Sequence, residues 1–223
     1  MSGMRLLRNG SKLLVNTNEW FIFNAGAIDK KTCNKIKREA SKKWESSSVN
    51  ISKGITDEER KTGCKSDYKS NPKVRISDVF WSNEQWLYDI IWPFMEQANR
   101  EAGWEYHIKA AESCQITRYK KDGFYDFHSD GKGDHLSTYN DPTNAFMHGH
   151  VRKLSMSVML NDNFDGGAFE FASYNKEKCT VTPIEATAGS VIVFPSFMEH
   201  RVAPVTKGTR YSLVTWFVGP PFV

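Results

Sequence analysis

A chain of 223 residues, 39% hydrophobic and 13% aromatic with charges of both signs, can bury a sizeable core within one domain and falls outside the disordered and fibrous classes. Its formal charge of +4 arises near the N-terminus, where residues 1–50 carry ten Lys and Arg against four Asp and Glu, while 101–150 carry five against eight. That excess reads as a solvated helix face, lacking the clustered charge and interleaved aromatics of a nucleic-acid footprint, so no nucleic-acid partner is expected.

No apolar run approaches the roughly 18–20 residues that span a bilayer, and no signal peptide is evident at the N-terminus. Cys33, Cys64, Cys114 and Cys179 are scattered without a CxxC pair and read as reduced thiols. A soluble, cytoplasmic chain without a membrane partner is the expectation.

In chain order, Asn18–Asn24 (NEWFIFN) reads as a strand, and Asp29 as the cap of a helix running to Trp44 with its Lys and Arg outward. Ser46–Pro72 is polar and aperiodic, a long surface loop of the kind that often forms a lid. Val74–Phe80 reads as a short strand. Asn83–Ala102 places Trp86, Ile90, Phe94 and Ala98 at helical spacing on a core-facing stripe, with Pro93 as a kink.

From Glu112 the pattern changes to short alternating or apolar runs, at 113–119, 125–130, 153–160, 168–172, 190–194 and 211–218. Lys121-Asp122-Gly123, Asp165-Gly166-Gly167, Ala188-Gly189 and Lys207-Gly208 mark the turns between them. The expected fold is α+β dominated by β: one domain over 1–223, with N-terminal strands and support helices in 1–110 and a sandwich or jelly-roll core in 111–219.

The chemistry gathers at Y-D-F-H-S-D, residues 125–130. Residues i and i+2 of an extended strand point the same way, so His128 and Asp130 can present an imidazole and a carboxylate side by side. His200 follows 72 residues later, after the strand Val191–Phe194 and the turn Pro195-Ser196. Two His and one carboxylate suit non-heme iron(II), leaving coordination positions open for a bidentate co-substrate and dioxygen; three ligands also occur in zinc hydrolases. Arg210, ten residues beyond His200, shares a strand face with Ser212 and Val214, and its planar guanidinium matches the far carboxylate of 2-oxoglutarate.

Three stretches carry a resemblance: QITRYKKDGFYDFHSD (115–130), RKLSMSVMLNDNFDGGAFEF (152–171) and GSVIVFPSFMEHRVAPVTKGTRYSLVTWF (189–217). From Glu112 to Phe217 the sequence resembles the 2-oxoglutarate/iron(II) dioxygenases of the prolyl 4-hydroxylase catalytic-domain type. The resemblance implies a double-stranded β-helix, iron(II) on His128, Asp130 and His200, 2-oxoglutarate contacted by Tyr119 and anchored by Arg210, dioxygen as co-substrate and ascorbate as reductant. Several family members carry Lys where this sequence has Arg210, which keeps the charge. The implied reaction is hydroxylation of a peptidyl proline with release of succinate and carbon dioxide, and the implied partner is a peptide or protein substrate. Lid loops would correspond to Ser46–Asn71 and Gly131–His150.

Other readings stand beside this one. A small molecule or free amino acid could be the substrate, or the chain could be a non-catalytic, metal-stabilised binding module. His148-Gly149-His150, with Asp134-His135, is a rival metal motif on a loop. Gly166-Gly167 reads as a turn and not a phosphate loop, since no G-K-[ST] follows. His107 reads as structural; Trp81 and Trp216 read as core, with Trp216 on the face of Arg210 and thus a candidate pocket wall.

Overall fold

The computed structural model describes residues 2–6, 12–16, 19–42, 44–47, 49–50, 68–69, 72–131, 138–174 and 179–222. A hairpin of β1 (Ser2–Leu6) and β2 (Lys12–Asn16) precedes β3 (Phe21–Phe23) and α1 (Lys30–Glu39), which a 3₁₀ turn at Ala40–Lys42 ends short of Trp44. Asp29 caps α1 as expected: its Oδ1 accepts from the Thr32 N–H at 2.9 Å and its Oδ2 from the Thr32 hydroxyl at 2.8 Å.

Next come β4 (Glu45–Ser46), β5 (Val49–Asn50), β6 (Tyr68–Lys69), β7 (Arg75–Ile76), β8 (Asp78–Ser82) and α2 (Gln85–Glu101). The remainder is β9 (Ala110–Ala111), β10 (Cys114–Tyr119), β11 (Phe124–His128), β12 (Val151–Met159), β13 (Phe164–Gly166), β14 (Phe169–Tyr174), β15 (Cys179–Ile184), β16 (Val191–Pro195), β17 (His200–Val202), β18 (Val205–Gly208) and β19 (Arg210–Gly219).

Two antiparallel sheets make the jelly roll. The larger runs β3-β16-β12-β19-β10-β8-β4, with β9 also on β19; the smaller runs β15-β14-β17-β11-β7. The single strand expected at Val74–Phe80 is two strands, one in each sheet, divided at Ser77.

The central strands of the larger sheet, β12, β16 and β19, are buried along nearly their whole length, so both of their faces are covered. The period of two then sorts the side chains. Ile116, Leu213, Val191 and Val193 pack with the helices. Tyr119, Ile192 and Phe194 turn the other way and join Phe169, Phe171 and Val202 of the smaller sheet.

On α2 the fully buried stripe is Leu87, Ile91, Met95 and Ala98, and the expected Trp86, Ile90 and Phe94 lie half-buried beside it. A helix pressed on a wide sheet buries two adjacent i, i+4 rows, and the aromatic row is the flank. Trp81, expected in the core, is 45% exposed, and His107 is exposed. Cys33 and Cys114 are buried thiols and Cys179 an exposed one, all free, while Cys64 lies outside the described residues. Most of the loop expected at Ser46–Pro72 also lies outside them.

Candidate active site

A cavity of about 210 Å³ opens between the sheets. The smaller sheet contributes His128 and His200, which are register partners on β11 and β17. A register shift between Tyr125 and His128 marks a bulge, a device that re-aims side chains at the end of a strand. β11 stops at His128, so Asp130 reaches the histidines from the turn beyond it, tied down by its own N–H donating to the Ser196 carbonyl at 2.9 Å. The expected pairing of His128 and Asp130 is therefore present, through a turn in place of a continuous strand.

His128 Nε2 lies 3.8 Å from Asp130 Oδ1, and His200 Nε2 lies 3.6 Å from Asp130 Oδ2. These three are the cluster of potential metal ligands among the described residues, with donor atoms all within 4.8 Å of one another. Each imidazole is oriented from behind: His128 Nδ1–H donates to the Asp126 carbonyl at 2.7 Å and His200 Nδ1–H to the Met198 carbonyl at 2.9 Å. A carbonyl only accepts, so both rings carry hydrogen on Nδ1 and turn Nε2 toward the cavity.

Burial, reinforced by the neighbouring His200, holds the His128 imidazole down at about 3, so it is neutral. For Asp130 burial pushes upward, but the two histidines, Arg152 and the Ser155 hydroxyl outweigh it and keep the carboxyl below its ordinary value. Ser155 Oγ donates to Asp130 Oδ2 at 2.7 Å; its single hydrogen is then spent, so Ser196 Oγ, 2.9 Å away, donates to it. Tyr125 stacks on the His128 ring with centroids 3.5 Å apart.

The larger sheet supplies the opposite wall. Arg210, Ser212, Val214 and Trp216 of β19 all line the cavity, as their shared face requires. Tyr119 is the register partner of Arg210, whose guanidinium lies 5.4 Å from the Tyr119 ring.

Arg210 is fully buried. Its Nη1 donates to Ser212 Oγ at 3.1 Å and its Nη2 faces Met159 Sδ at 3.2 Å, while Nε has no partner. No carboxylate pairs with it among the described residues, and burial depresses its pKa accordingly. A buried guanidinium with an idle donor is costly unless an anion completes it. Neither Lys153 nor Arg201 lines the cavity; Arg201 is paired with Glu170 at 2.5 Å.

Chain comparison agrees with this geometry. Residues 114–218 match the family described as the 2OG-Fe(II) oxygenase superfamily. That match takes in just under half of the chain, and it marks a likeness of this segment to the superfamily. A PKHD-type hydroxylase of Xylella fastidiosa is 33% identical over 105 residues, 46% of this chain and 42% of the relative, so the match spans about two fifths of that relative's length. A Synechococcus PKHD-type hydroxylase is 38% identical over 65 residues, 28% of this chain and 27% of its own.

Among solved structures, a Pseudomonas putida prolyl-4-hydroxylase superposes with TM-score 0.57 at 17% identity, covering 90% of this chain and 92% of that one. A Trichoplax adhaerens prolyl hydroxylase in complex with a hypoxia inducible factor peptide fragment gives 0.58 at 18% identity, covering 91% and 84%. These likenesses establish the jelly-roll fold.

The 2OG-Fe(II) oxygenase family implies iron(II), 2-oxoglutarate and dioxygen, and the His-Asp-His cluster has the donor set for the metal. The rival histidines do not assemble: His148 is exposed, His150 bonds the Phe146 carbonyl at 3.0 Å, and His135 lies outside the described residues. Asp165 sits on an exposed pair with Lys207 at 3.8 Å, and Glu170 with Arg201, so neither enters the cavity.

Several lining residues escaped the sequence reading. Arg152 makes two bonds to Glu112, at 2.6 and 2.7 Å, and packs 4.0 Å from the Trp216 ring. Arg75 donates to Ser77 at 2.8 Å and to Gln115 at 2.8 Å. A detectable signal was the run of serines on β12: Ser155 and Ser157 are polar at strand positions that an all-apolar core would fill.

Proposed function

We propose that this chain is an iron(II)- and 2-oxoglutarate-dependent hydroxylase acting on a peptidyl residue, with proline as the favoured target. His128, Asp130 and His200 hold the metal, and Tyr119 and Arg210 hold the co-substrate. The observation that carries the reading is the buried Arg210, without a carboxylate partner among the described residues, across the same cavity from the converging Nε2 atoms.

When bound, iron(II) supplies dioxygen activation coupled to decarboxylation of 2-oxoglutarate to succinate and carbon dioxide, with hydroxylation of an unactivated C–H bond. The protein's part is geometric. His128 and His200 offer Nε2 donors held in place through the Asp126 and Met198 carbonyls, and Ser155 keeps one Asp130 oxygen in place. Three ligands on one side leave room for a chelating co-substrate. Arg210 presents a planar guanidinium to its far carboxylate. Phe169, Phe194 and Val202 line the cavity and keep water from the reacting centre.

The peptidyl assignment is supported by the prolyl hydroxylase folds superposed above, one of them solved with a peptide. Anaerobic loading with iron(II) and 2-oxoglutarate, followed by air and a panel of proline-containing peptides, tests it. Succinate release above the uncoupled rate, with one oxygen gained on a peptide, is expected. Turnover of free proline alone would move the assignment to small molecules; metal-dependent activity without dioxygen would indicate a zinc hydrolase.

A further inference from the structure

Beside the cavity lies a larger depression of about 930 Å³ that shares Trp81 and Tyr139 with it. One wall is five consecutive residues, Lys109–Ser113. Successive side chains of an extended segment point to opposite faces, so five in a row line one groove by presenting a backbone edge.

The topology gives the reason. β9 pairs with Phe217 and Val218 of β19 and has no second partner among the described residues, because β8, the outer neighbour of β10, ends with Ser82 opposite Cys114. The rest of the lining mixes rings and apolar side chains, Tyr88, Trp92, Phe146 and Met147, with the polar Asn83, Gln85, Asp141 and Asn144; the Tyr88 hydroxyl donates to the Glu112 carbonyl at 3.1 Å, so the open edge is that of β9 itself. Phe146 is 74% exposed and Trp81, at the junction with the cavity, 45%. The two spaces are also bridged by one ion pair, since Glu112 lines the groove and its partner Arg152 lines the cavity.

A strand edge open on one side and flanked by exposed rings matches an extended polypeptide, whose main chain can bond the edge while its side chains meet the rings. We propose that this groove docks the stretch of a polypeptide substrate adjoining the residue that enters the cavity, and so selects sequence at a distance from the reacting atoms. The inference rests on the peptidyl reading above. Its occupant enters at the Trp81–Tyr139 junction, which makes groove and cavity one continuous path.

The test uses the iron(II)-loaded chain and a panel of proline-centred dodecapeptides, with the best of them truncated to a pentapeptide around the same proline. Phe146→Ala is the variant, its side chain being too exposed to support the fold; a thermal melt checks this. Truncation is expected to raise KM about tenfold at unchanged kcat, and Phe146→Ala to raise the dodecapeptide KM by a similar factor. The pentapeptide constants and the uncoupled 2-oxoglutarate turnover of Phe146→Ala should match the parent. Equal KM for the two peptides, or an unaltered dodecapeptide KM in Phe146→Ala, overturns the groove and leaves the peptidyl reading standing. Absence of stimulation by every dodecapeptide overturns the peptidyl reading and the groove together.

Discussion

His128 and His200 face each other across β11 and β17 with ring centroids 4.3 Å apart, and each donates Nδ1–H to the carbonyl of the residue two positions before it. The same local bond thus sets both tautomers, and both Nε2 atoms are committed to the space beside Asp130. If these three hold the metal as proposed, removing any one leaves too few donors. His128→Ala, Asp130→Ala and His200→Ala should each abolish stoichiometric iron binding while the metal-free chain keeps its circular dichroism spectrum. Retention of iron by two of the three would show that the metal sits elsewhere.

Ser155→Ala should act more mildly, because it removes a bond to Asp130 without removing a ligand. Loss of such a supporting group typically costs about 10–100-fold in metal affinity. An iron titration with unchanged affinity would mean that the Asp130 backbone bond to Ser196 alone positions the carboxylate.

Arg210→Ala should weaken 2-oxoglutarate far more than iron, by about 1.5–3 kcal/mol for a lost charge-assisted bond. Arg210→Lys should recover part of it as a point charge without the bidentate fork. Calorimetric titration of the iron-free and metal-loaded forms separates the two effects.

Gly167 has φ +61°, and a Cβ there would lie 2.9 Å from Val205 Cγ2 and 3.1 Å from Arg210 Cδ. Gly167→Ala should therefore cost about 1–2 kcal/mol from the left-handed backbone alone. It should also raise the KM for 2-oxoglutarate by displacing the Arg210 stem. A variant with parental melting temperature and parental KM would exclude this role for the glycine.

The half-buried His128 has a pH consequence for the metal-free chain. Its folded value of about 3 lies below its ordinary 6.5, so between those limits the unfolded state binds more protons than the folded one. Stability then falls as pH is lowered from about 6.5 towards about 3, with a slope of at most about 1.4 kcal/mol per pH unit from this one group. Denaturant midpoints measured on the metal-free chain at pH 7 and pH 5 should differ in that sense, and the difference should shrink in His128→Gln.

Local pattern was enough to expose the central strands, the capping role of Asp29, the two helices and the side chains that converge as His128, Asp130 and His200, because each is written in a short window: a period of two, a helical repeat, an H-x-D pair. The same windows misjudged the rim. Trp86, Ile90 and Phe94 look like the core stripe of α2, yet Leu87, Ile91 and Met95 go deeper, since the sheet underneath selects which row it meets. Trp81 has the composition of a core residue but stands where the larger sheet runs out beside the groove.

The short strands β9, β13, β17 and β18 have too few residues to show a period, and they exist because partners remote in sequence pair with them. Glu112 and Arg152 lie forty residues apart, and only the pairing of β12 with β19, with β9 and β10 on the far edge of β19, brings them into a doubly bonded ion pair. By itself, then, the sequence determined the cap and singled out the side chains suited to ligating and anchoring, matters of side-chain chemistry and spacing. Tertiary structure alone decided that Arg210 is buried with an idle donor, that Ser155 supports Asp130, and that an open strand edge adjoins the cavity, because burial, partnership and continuity are relations between segments that no single segment contains.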